Sequence, residues 1–238
     1  MKVDILAIGA HPDDVELSCA GTLAKEIAAG KKVAILDLTQ GELGTRGSAA
    51  VRAQEAEKAA ALLGVHARYN AGFSDGFFTN DRIHQEALIA YIRLLQPEVV
   101  LCNATEDRHP DHGRAAKLVT DSCFLSGLVK VSSNFEGESQ LAWRPKQLYH
   151  YVQWNQAQPD FVVDISAHME TKLKVVQAYG SQFYDPNSKE PKTPISTANF
   201  LDSIKYRAAD LGRLIGTDYA EGFTTSRLIG VDRITDLL

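Results

Sequence analysis

Two short polar segments of the chain contain residues that could bind a metal ion. The first is His-Pro-Asp-Asp at 11–14, and the second is Asp-Arg-His-Pro-Asp-His at 107–112. In each segment two potential ligands are three positions apart, a spacing that places side chains on one side of a helical turn. Histidine nitrogens and carboxylate oxygens are the ligands of a catalytic zinc ion that keeps one position open for water. The two segments together therefore predict metal-dependent chemistry, with these pairs as candidates: His11 with Asp14, and His109 with His112.

Each of these residues also has an ordinary structural interpretation. Asp13 or Asp111 could cap a helix, and a single histidine is more often structural than metal-binding. The prolines at 12 and 110 fit the first turn of a helix, where their missing N–H is not needed. Two such segments, each directly after a predicted strand or shortly beyond it, favour a shared metal site over separate structural roles.

Regular elements must position the two segments. Apolar runs at 3–9 and 32–39 flank a helical pattern at 15–29, which indicates a β-α-β unit. The same alternation predicts an α/β fold with a mostly parallel sheet covered by helices on both faces. The polar segments follow the strands at 3–9 and 98–103, at the carboxyl edge where open sheets bind ligands. The further predictions are helices at 48–63, 81–95, 111–125, 167–179 and 198–215, and strands at 67–71, 147–154, 161–165 and 222–231.

Two stretches lack regular periodicity. Ser, Asn, Gly and Glu cluster in 131–145, which predicts a surface excursion without a strand or helix. The segment 185–194 contains three prolines among polar residues and predicts a long loop of the kind that often borders a binding site.

Composition limits the class of protein. A chain of 238 residues with 45% hydrophobic content can bury one core, which predicts a single domain over 1–238. The net charge of -5 and the absence of a dense Lys/Arg tract argue against a nucleic-acid partner. Lys2 and Asp4 interrupt the first apolar run, so it is neither a signal peptide nor a membrane span. The cysteines at 19, 102 and 123 are interpreted as reduced thiols of a cytoplasmic protein.

Two other enzyme classes with related folds are disfavoured. The first turn is His-Pro-Asp-Asp instead of the Gly-x-Gly-x-x-Gly of dinucleotide-binding proteins. The Gly-x-Ser-x-Gly motif of serine hydrolases does not occur. A non-catalytic module that binds a metal or a carbohydrate stays open as an alternative.

The motifs resemble a known family. Ala-His-Pro-Asp-Asp at 10–14 with His-Pro-Asp-His at 109–112 is similar to the PIG-L/LmbE family of zinc-dependent sugar N-deacetylases. This resemblance implies an LmbE-like, Rossmann-like three-layer sandwich, a zinc ion (Zn2+), a small-molecule sugar substrate and a homo-oligomer. Further segments resemble the bacillithiol-pathway branch, and they lie at 37–47, 52, 181–183, 214–216 and 219–223. The resemblance to that branch implies that the enzyme hydrolyses the N-acetyl group of N-acetylglucosaminyl-malate, which gives glucosaminyl-malate and acetate.

The resemblance also implies a role for each residue of the two polar segments. The zinc ligands would be His11, Asp14 and His112. Asp13 would be the general base that takes a proton from the attacking water. His109 would act as a cation that stabilises the oxyanion and protonates the leaving amine, and Asp111 would hold its imidazolium.

Other candidates concern the substrate. Arg52 and Arg108 would pair with substrate carboxylates or hydroxyls, and Glu42 would contact sugar hydroxyls. Some relatives have a tyrosine where this chain has Asp107, so another tyrosine, such as Tyr184, could assist the oxyanion. The sequence leaves open the exact aglycone, which includes a mycothiol precursor or a chitobiose-like sugar, and also the choice between Zn2+ and Fe2+ and the oligomeric state.

Overall fold

Helices and strands alternate along most of the chain, as the apolar periodicity predicts. The computed structural model describes residues 1–155 and 157–237. Its strands are β1 (Ile5–Gly9), β2 (Val33–Thr39), β3 (Ala67–Phe73), β4 (Val99–Cys102), β5 (Asn134–Phe135), β6 (Glu138–Ser139), β7 (Gln147–Tyr151), β8 (Phe161–Asp164) and β9 (Ala220–Thr224). Its helices are α1 (Asp14–Ala28), α2 (Ala49–Leu63), α3 (Arg82–Leu95), α4 (Pro110–Leu125), α5 (Met169–Val176), which follows a 3-10 turn, and α6 (Ala198–Arg213).

The described residues form a seven-stranded sheet with the order β3-β2-β1-β4-β7-β9-β8. Strands β3, β2, β1, β4 and β7 are parallel, and β9 runs antiparallel to both β7 and β8. The prediction of a mostly parallel sheet is therefore confirmed. Ile5 of β1 lies opposite Val33 of β2 on one side and Val99 of β4 on the other. The chain reverses its direction across the sheet between β1 and β4, where a ligand crevice opens at the carboxyl ends.

Two hydrophobic cores lie on opposite faces of this sheet, because successive side chains of a strand alternate between faces. Ala7 of β1 packs in a core with residues of α1, α2, α5 and α6, such as Leu23. Its neighbour Ile8 packs on the other face with residues of α3 and α4, such as Leu118. This arrangement confirms the helix, sheet and helix layers of the expected sandwich.

Two sequence predictions are wrong in detail. The segment 131–145 contains the short hairpin of β5 and β6, which turns through Glu136 and Gly137 at φ 52° and 88°. Arg93 of α3 holds this segment by donating hydrogen bonds to the carbonyl of Val131 and the hydroxyl of Ser133. The last strand stops at Thr224 instead of continuing to 231, and the backbone N–H of the next residue, Thr225, donates a hydrogen bond to the side chain of Asp160 instead of a strand carbonyl.

None of the described helices is both long enough and apolar enough to cross a membrane.

Candidate active site

The carboxyl edge of the sheet brings the two polar segments together. The segment 11–14 leads from β1 into α1, and the segment 107–112 leads from β4 into α4, so adjacent parallel strands deliver them to one place. The ring centroid of His11 lies 4.7 Å from that of His109 and 5.7 Å from that of His112. Both segments line a cleft of about 1350 Å³.

Asp14 lies between the other two predicted metal ligands. One of its carboxylate oxygens is 3.5 Å from Nδ1 of His11, and the other is 3.2 Å from Nε2 of His112. Side-chain amides that follow the ends of β4 and β7 orient this carboxylate, because Nδ2 of Asn103 and Nε2 of Gln153 donate hydrogen bonds to it at 3.0 and 3.1 Å. The three predicted ligands are thus neighbours. His11, His109 and His112 also offer nitrogens within 4.8 Å of one another and form an alternative ligand set.

A carboxylate contacts the second ring nitrogen of each predicted histidine ligand. Nε2 of His11 is 3.0 Å from Asp75 and 3.3 Å from Asp111, and Nδ1 of His112 is 2.6 Å from Asp107. Carboxylates in this position fix the tautomer and ring orientation of metal-binding histidines. One ring nitrogen of each histidine therefore faces Asp14, and the other contacts a different carboxylate. This donor set fits a zinc ion.

The electrostatics of this group favour a cation. Burial acts to lower the pKa of His11, but hydrogen bonds to Asp111, Asp14 and Asp75 raise it well above its usual value. Burial likewise opposes the effect of Asp14 and Asp107 on His112, whose pKa is nevertheless raised to about 9. The carboxylates thus create a negative potential that stabilises positive charge at the two histidines.

Asp13, the predicted general base, is a buried carboxyl with a raised pKa. Burial raises the pKa of its carboxyl, the charge of Arg52 opposes this effect, and the pKa reaches about 7. A base works best when its pKa is near the working pH. The backbone of Asp13 has φ 116°, a left-handed value that side chains bearing a Cβ rarely adopt. Such strain costs on the order of 1–3 kcal/mol and persists where surrounding structure enforces it, often at functional sites.

Arg52 contacts the predicted general base, Asp13, which the sequence did not predict. Its side chain is 5% exposed, its guanidinium lies 3.3 Å from a carboxylate oxygen of Asp13, and it donates hydrogen bonds to the carbonyls of Pro12 and Gly41. Arg52 thus holds Asp13 and the turn that precedes α1. Arg52 also lines the cleft, and contact with a substrate carboxylate or hydroxyl, the role implied by the resemblance, stays a prediction.

The relation of His109 to Asp111 also needs correction. The Asp111 carboxylate lies on His11 and Arg114, at 3.3 and 2.9 Å, and accepts a hydrogen bond from the backbone N–H of Gly76. The contact of Asp111 with the His109 ring is made by its backbone N–H, which donates to Nδ1 at 3.3 Å, and not by its carboxylate. Burial and the charges of His11 and His112 lower the pKa of His109. Because Nδ1 accepts this hydrogen bond, the neutral form of His109 carries its ring hydrogen on Nε2. The imidazolium form stays a prediction.

Of the remaining predicted site residues, Arg108 lines the cleft, whereas Glu42 is not part of its lining. Glu42 accepts a hydrogen bond from the backbone N–H of Asp75 at 2.8 Å, which ties its loop to the turn after β3. The guanidinium of Arg108 lies 4.5 Å from the ring centroid of Trp154. Contacts of Glu42 and Arg108 with a substrate stay predictions. Among the described tyrosines, Tyr206 lines the cleft, whereas Tyr184 does not contribute to its lining.

Sequence reasoning missed Asp75 and the function of Asp107. Asp75 follows β3, the second neighbour of β1 in the sheet, and 64 positions separate it from His11. The available signal was its place directly after a strand, the same argument that selected the first polar segment. Asp107 drew attention only as a departure from the tyrosine of some relatives, although its contact with His112 gives it a clear structural role.

We expect Asp107→Asn to weaken metal binding by about 10- to 100-fold, the usual cost of losing an outer carboxylate. An amide lacks the negative charge with which the Asp107 carboxylate contacts the His112 ring. The three predicted zinc ligands are unchanged by this substitution. Competition with a fluorescent zinc chelator measures the affinity. Asp121→Asn, at an aspartate near the opposite end of α4, serves as the control and is expected to bind zinc like the unaltered protein. Equal affinities for Asp107→Asn and the control would contradict the assignment.

Comparisons with known proteins identify the family. Residues 6–123 match the family model described as "PIG-L: GlcNAc-PI de-N-acetylase". Diacetylchitobiose deacetylase of Thermococcus kodakarensis is 30% identical over 231 residues, which cover 92% of this chain and 81% of the relative. The chain therefore belongs to the PIG-L family, and it is a carbohydrate N-deacetylase, a hydrolase.

Solved structures agree with this family. A conserved protein from Thermus thermophilus superposes with a TM-score of 0.85 at 34% identity, covering 97% of this chain and 98% of that one. The N,N'-diacetylchitobiose deacetylase of Pyrococcus horikoshii, solved with an inhibitor, gives a TM-score of 0.77 at 27% identity, with 99% and 88% covered. The family resemblance of the two polar segments is thereby confirmed, whereas these comparisons do not assign the bacillithiol branch.

Proposed function

We propose that this enzyme uses zinc to hydrolyse the N-acetyl group of N-acetylglucosaminyl-malate, giving glucosaminyl-malate and acetate in bacillithiol biosynthesis. The observation that carries the proposal is the placement of Asp13, a buried carboxyl with a pKa of about 7, beside the His11, Asp14 and His112 group in an open cleft. A bound zinc ion at that group would act as a Lewis acid and lower the pKa of water.

The roles of the protein's own residues follow from their contacts. Asp13 accepts a proton as water adds to the acetamide carbonyl, and Arg52 holds the carboxylate in position. Neutral His109 donates its Nε2 hydrogen to the carbonyl oxygen as negative charge develops there. Cleavage of the C–N bond then requires a proton on the departing amine, which protonated Asp13 can return. The overall reaction consumes one water molecule and forms acetate and an amine.

The sugar part of the proposal rests on the family, because the Thermococcus and Pyrococcus relatives are named diacetylchitobiose deacetylases. An anionic aglycone is supported by the exposed guanidinium of Arg108 on the cleft wall. It is also supported by the later segments that resemble the bacillithiol branch. A cytoplasmic location and a homo-oligomeric state stay predictions of the resemblance.

A substrate comparison tests this proposal. Purified enzyme loaded with zinc is incubated with N-acetylglucosaminyl-malate, N-acetylglucosamine or N,N'-diacetylchitobiose, and the free amine is measured. We expect a kcat/KM about 10-fold to 100-fold higher for the malate glycoside than for the free sugar, since a charge-assisted hydrogen bond contributes roughly 1.5–3 kcal/mol.

The other outcomes discriminate between the alternatives. Equal kcat/KM for the malate glycoside and the free sugar would exclude malate as the preferred aglycone. The broader function of a sugar N-deacetylase would then stand without it. Preference for diacetylchitobiose would favour the chitobiose-like alternative. No amine from any compound would favour a binding module without catalysis.

A further inference from the structure

Arg207, a residue of α6 that the sequence analysis did not select, lines the cleft together with Arg108. Both residues are exposed. Within the part of the chain that the structure describes, neither guanidinium has a carboxylate within ion-pair distance. Cationic side chains of other parts of the cleft are paired, as Lys172 is with Glu221 at 2.5 Å and Arg52 is with Asp13. Two guanidinium groups that have no ion-pair partner among the described residues therefore face the same cleft.

The nearby acidic residues are engaged elsewhere. Asp107 binds Nδ1 of His112 at 2.6 Å and accepts a hydrogen bond from the backbone N–H of Asn155 at 2.8 Å. Asp210, which also lines the cleft, pairs with Arg213 at 2.7 Å. Asp107 attracts Arg207 only through its longer-range charge. The positive charge of Arg207 is thus left for a ligand to neutralise.

Aromatic stacking fixes the other guanidinium near the same helix. Arg108 lies 4.5 Å from the ring centroid of Trp154, and Trp154 stacks on Phe200 of α6 at 5.8 Å and 15°. Stacking restrains a long side chain without using its hydrogen-bond donors. Although the Arg207 side chain is exposed, the surrounding walls of the cleft partly desolvate it and lower its pKa. Ion pairs with a ligand are stronger at a partly desolvated cation than at a fully hydrated one.

We propose that Arg207 and Arg108 form an anion subsite that binds the carboxylates of an acidic aglycone, with Arg207 as a specificity-determining residue. The inference rests on the proposed function for the identity of the sugar, and it adds the group that selects among aglycones. Planar guanidinium groups recognise carboxylates through paired hydrogen bonds, which a neutral aglycone cannot accept with equal strength.

The test compares two substrates that differ in charge and little in shape: N-acetylglucosaminyl-malate and its dimethyl ester. We expect Arg207→Gln to lower kcat/KM for the dicarboxylate by about tenfold or more, and that for the diester by about twofold at most. Arg207→Lys keeps the charge without the paired geometry and is expected to fall between. Lys205→Gln removes one charge from the exposed side of the same helix and is expected to change neither value.

A loss of the same size on both substrates would show a structural role for Arg207 and overturn the inference. No loss on the dicarboxylate would also overturn it. Calorimetric binding of glucosaminyl-malate separates this result from failure of the proposed function, since it needs no turnover. If no variant releases acetate, weaker binding to Arg207→Gln than to Lys205→Gln still supports the subsite, and equal binding overturns it.

Discussion

Asp13→Asn is expected to lower kcat by about 100-fold or more and to leave the zinc content of the protein unchanged. An amide cannot accept the proton that water loses when it attacks the acetamide, and positioned general bases contribute roughly 10²–10⁴-fold. The zinc content is expected to be preserved because the proposed zinc ligands are His11, Asp14 and His112, which contact one another. Steady-state amine release and metal analysis by atomic spectroscopy measure the two quantities on one preparation.

The geometry around Asp13 makes this separation possible. The left-handed backbone at φ 116° directs consecutive aspartates to different neighbours: Asp13 contacts Arg52, and Asp14 contacts the two histidines. Asparagine tolerates a left-handed backbone about as well as aspartate. The substitution therefore changes the proton acceptor without displacing the turn.

The control for this experiment is Asp210→Asn, which makes the same chemical change at a cleft aspartate paired with exposed Arg213. We expect it to retain full zinc content and nearly full kcat. If Asp13→Asn lost its zinc while activity could be restored by excess metal, the roles of Asp13 and Asp14 would have to be exchanged.

The sequence was sufficient for the local features of this fold. Apolar periodicity depends on burial of individual residues, and it predicted the strands and helices of the parallel region, including β1 and β4. The polar segments could be located at a shared edge because parallel strands end on the same side. The weaker predictions lie where burial is partial, as in the hairpin of β5 and β6, whose exposed residues carry little periodic signal.

The contacts that set protonation could not be predicted from spacing. Asp111 is two positions from His109 and was expected to hold its ring, but its carboxylate turns toward His11 of the other polar segment and toward Arg114 of its own helix. Arg52 likewise meets Asp13 through the approach of α2 to the turn after β1. Such pairs depend on side-chain direction and on the distance between separate elements, and a single sequence reports neither.

His112→Ala is expected to reduce bound zinc to the background level and to abolish deacetylation. Removing this ligand leaves His11 and Asp14, too few protein ligands for the three that catalytic zinc sites keep. The Asp107 carboxylate would also lose its ring partner and add uncompensated negative charge beside the cleft. Metal analysis after dialysis against a weak chelator gives the occupancy, and circular dichroism checks that the protein is folded.

His109→Ala is the matched control, because it removes a histidine from the same turn of the same segment. His109 caps α4 but belongs to the ligand set only in the alternative group of three histidines. If zinc is held by His11, Asp14 and His112, His109→Ala keeps its metal and loses activity through the missing hydrogen-bond donor. Loss of zinc in His109→Ala with retention in Asp14→Asn would show that the three histidines bind the metal. Full zinc occupancy in His112→Ala would reject both ligand sets.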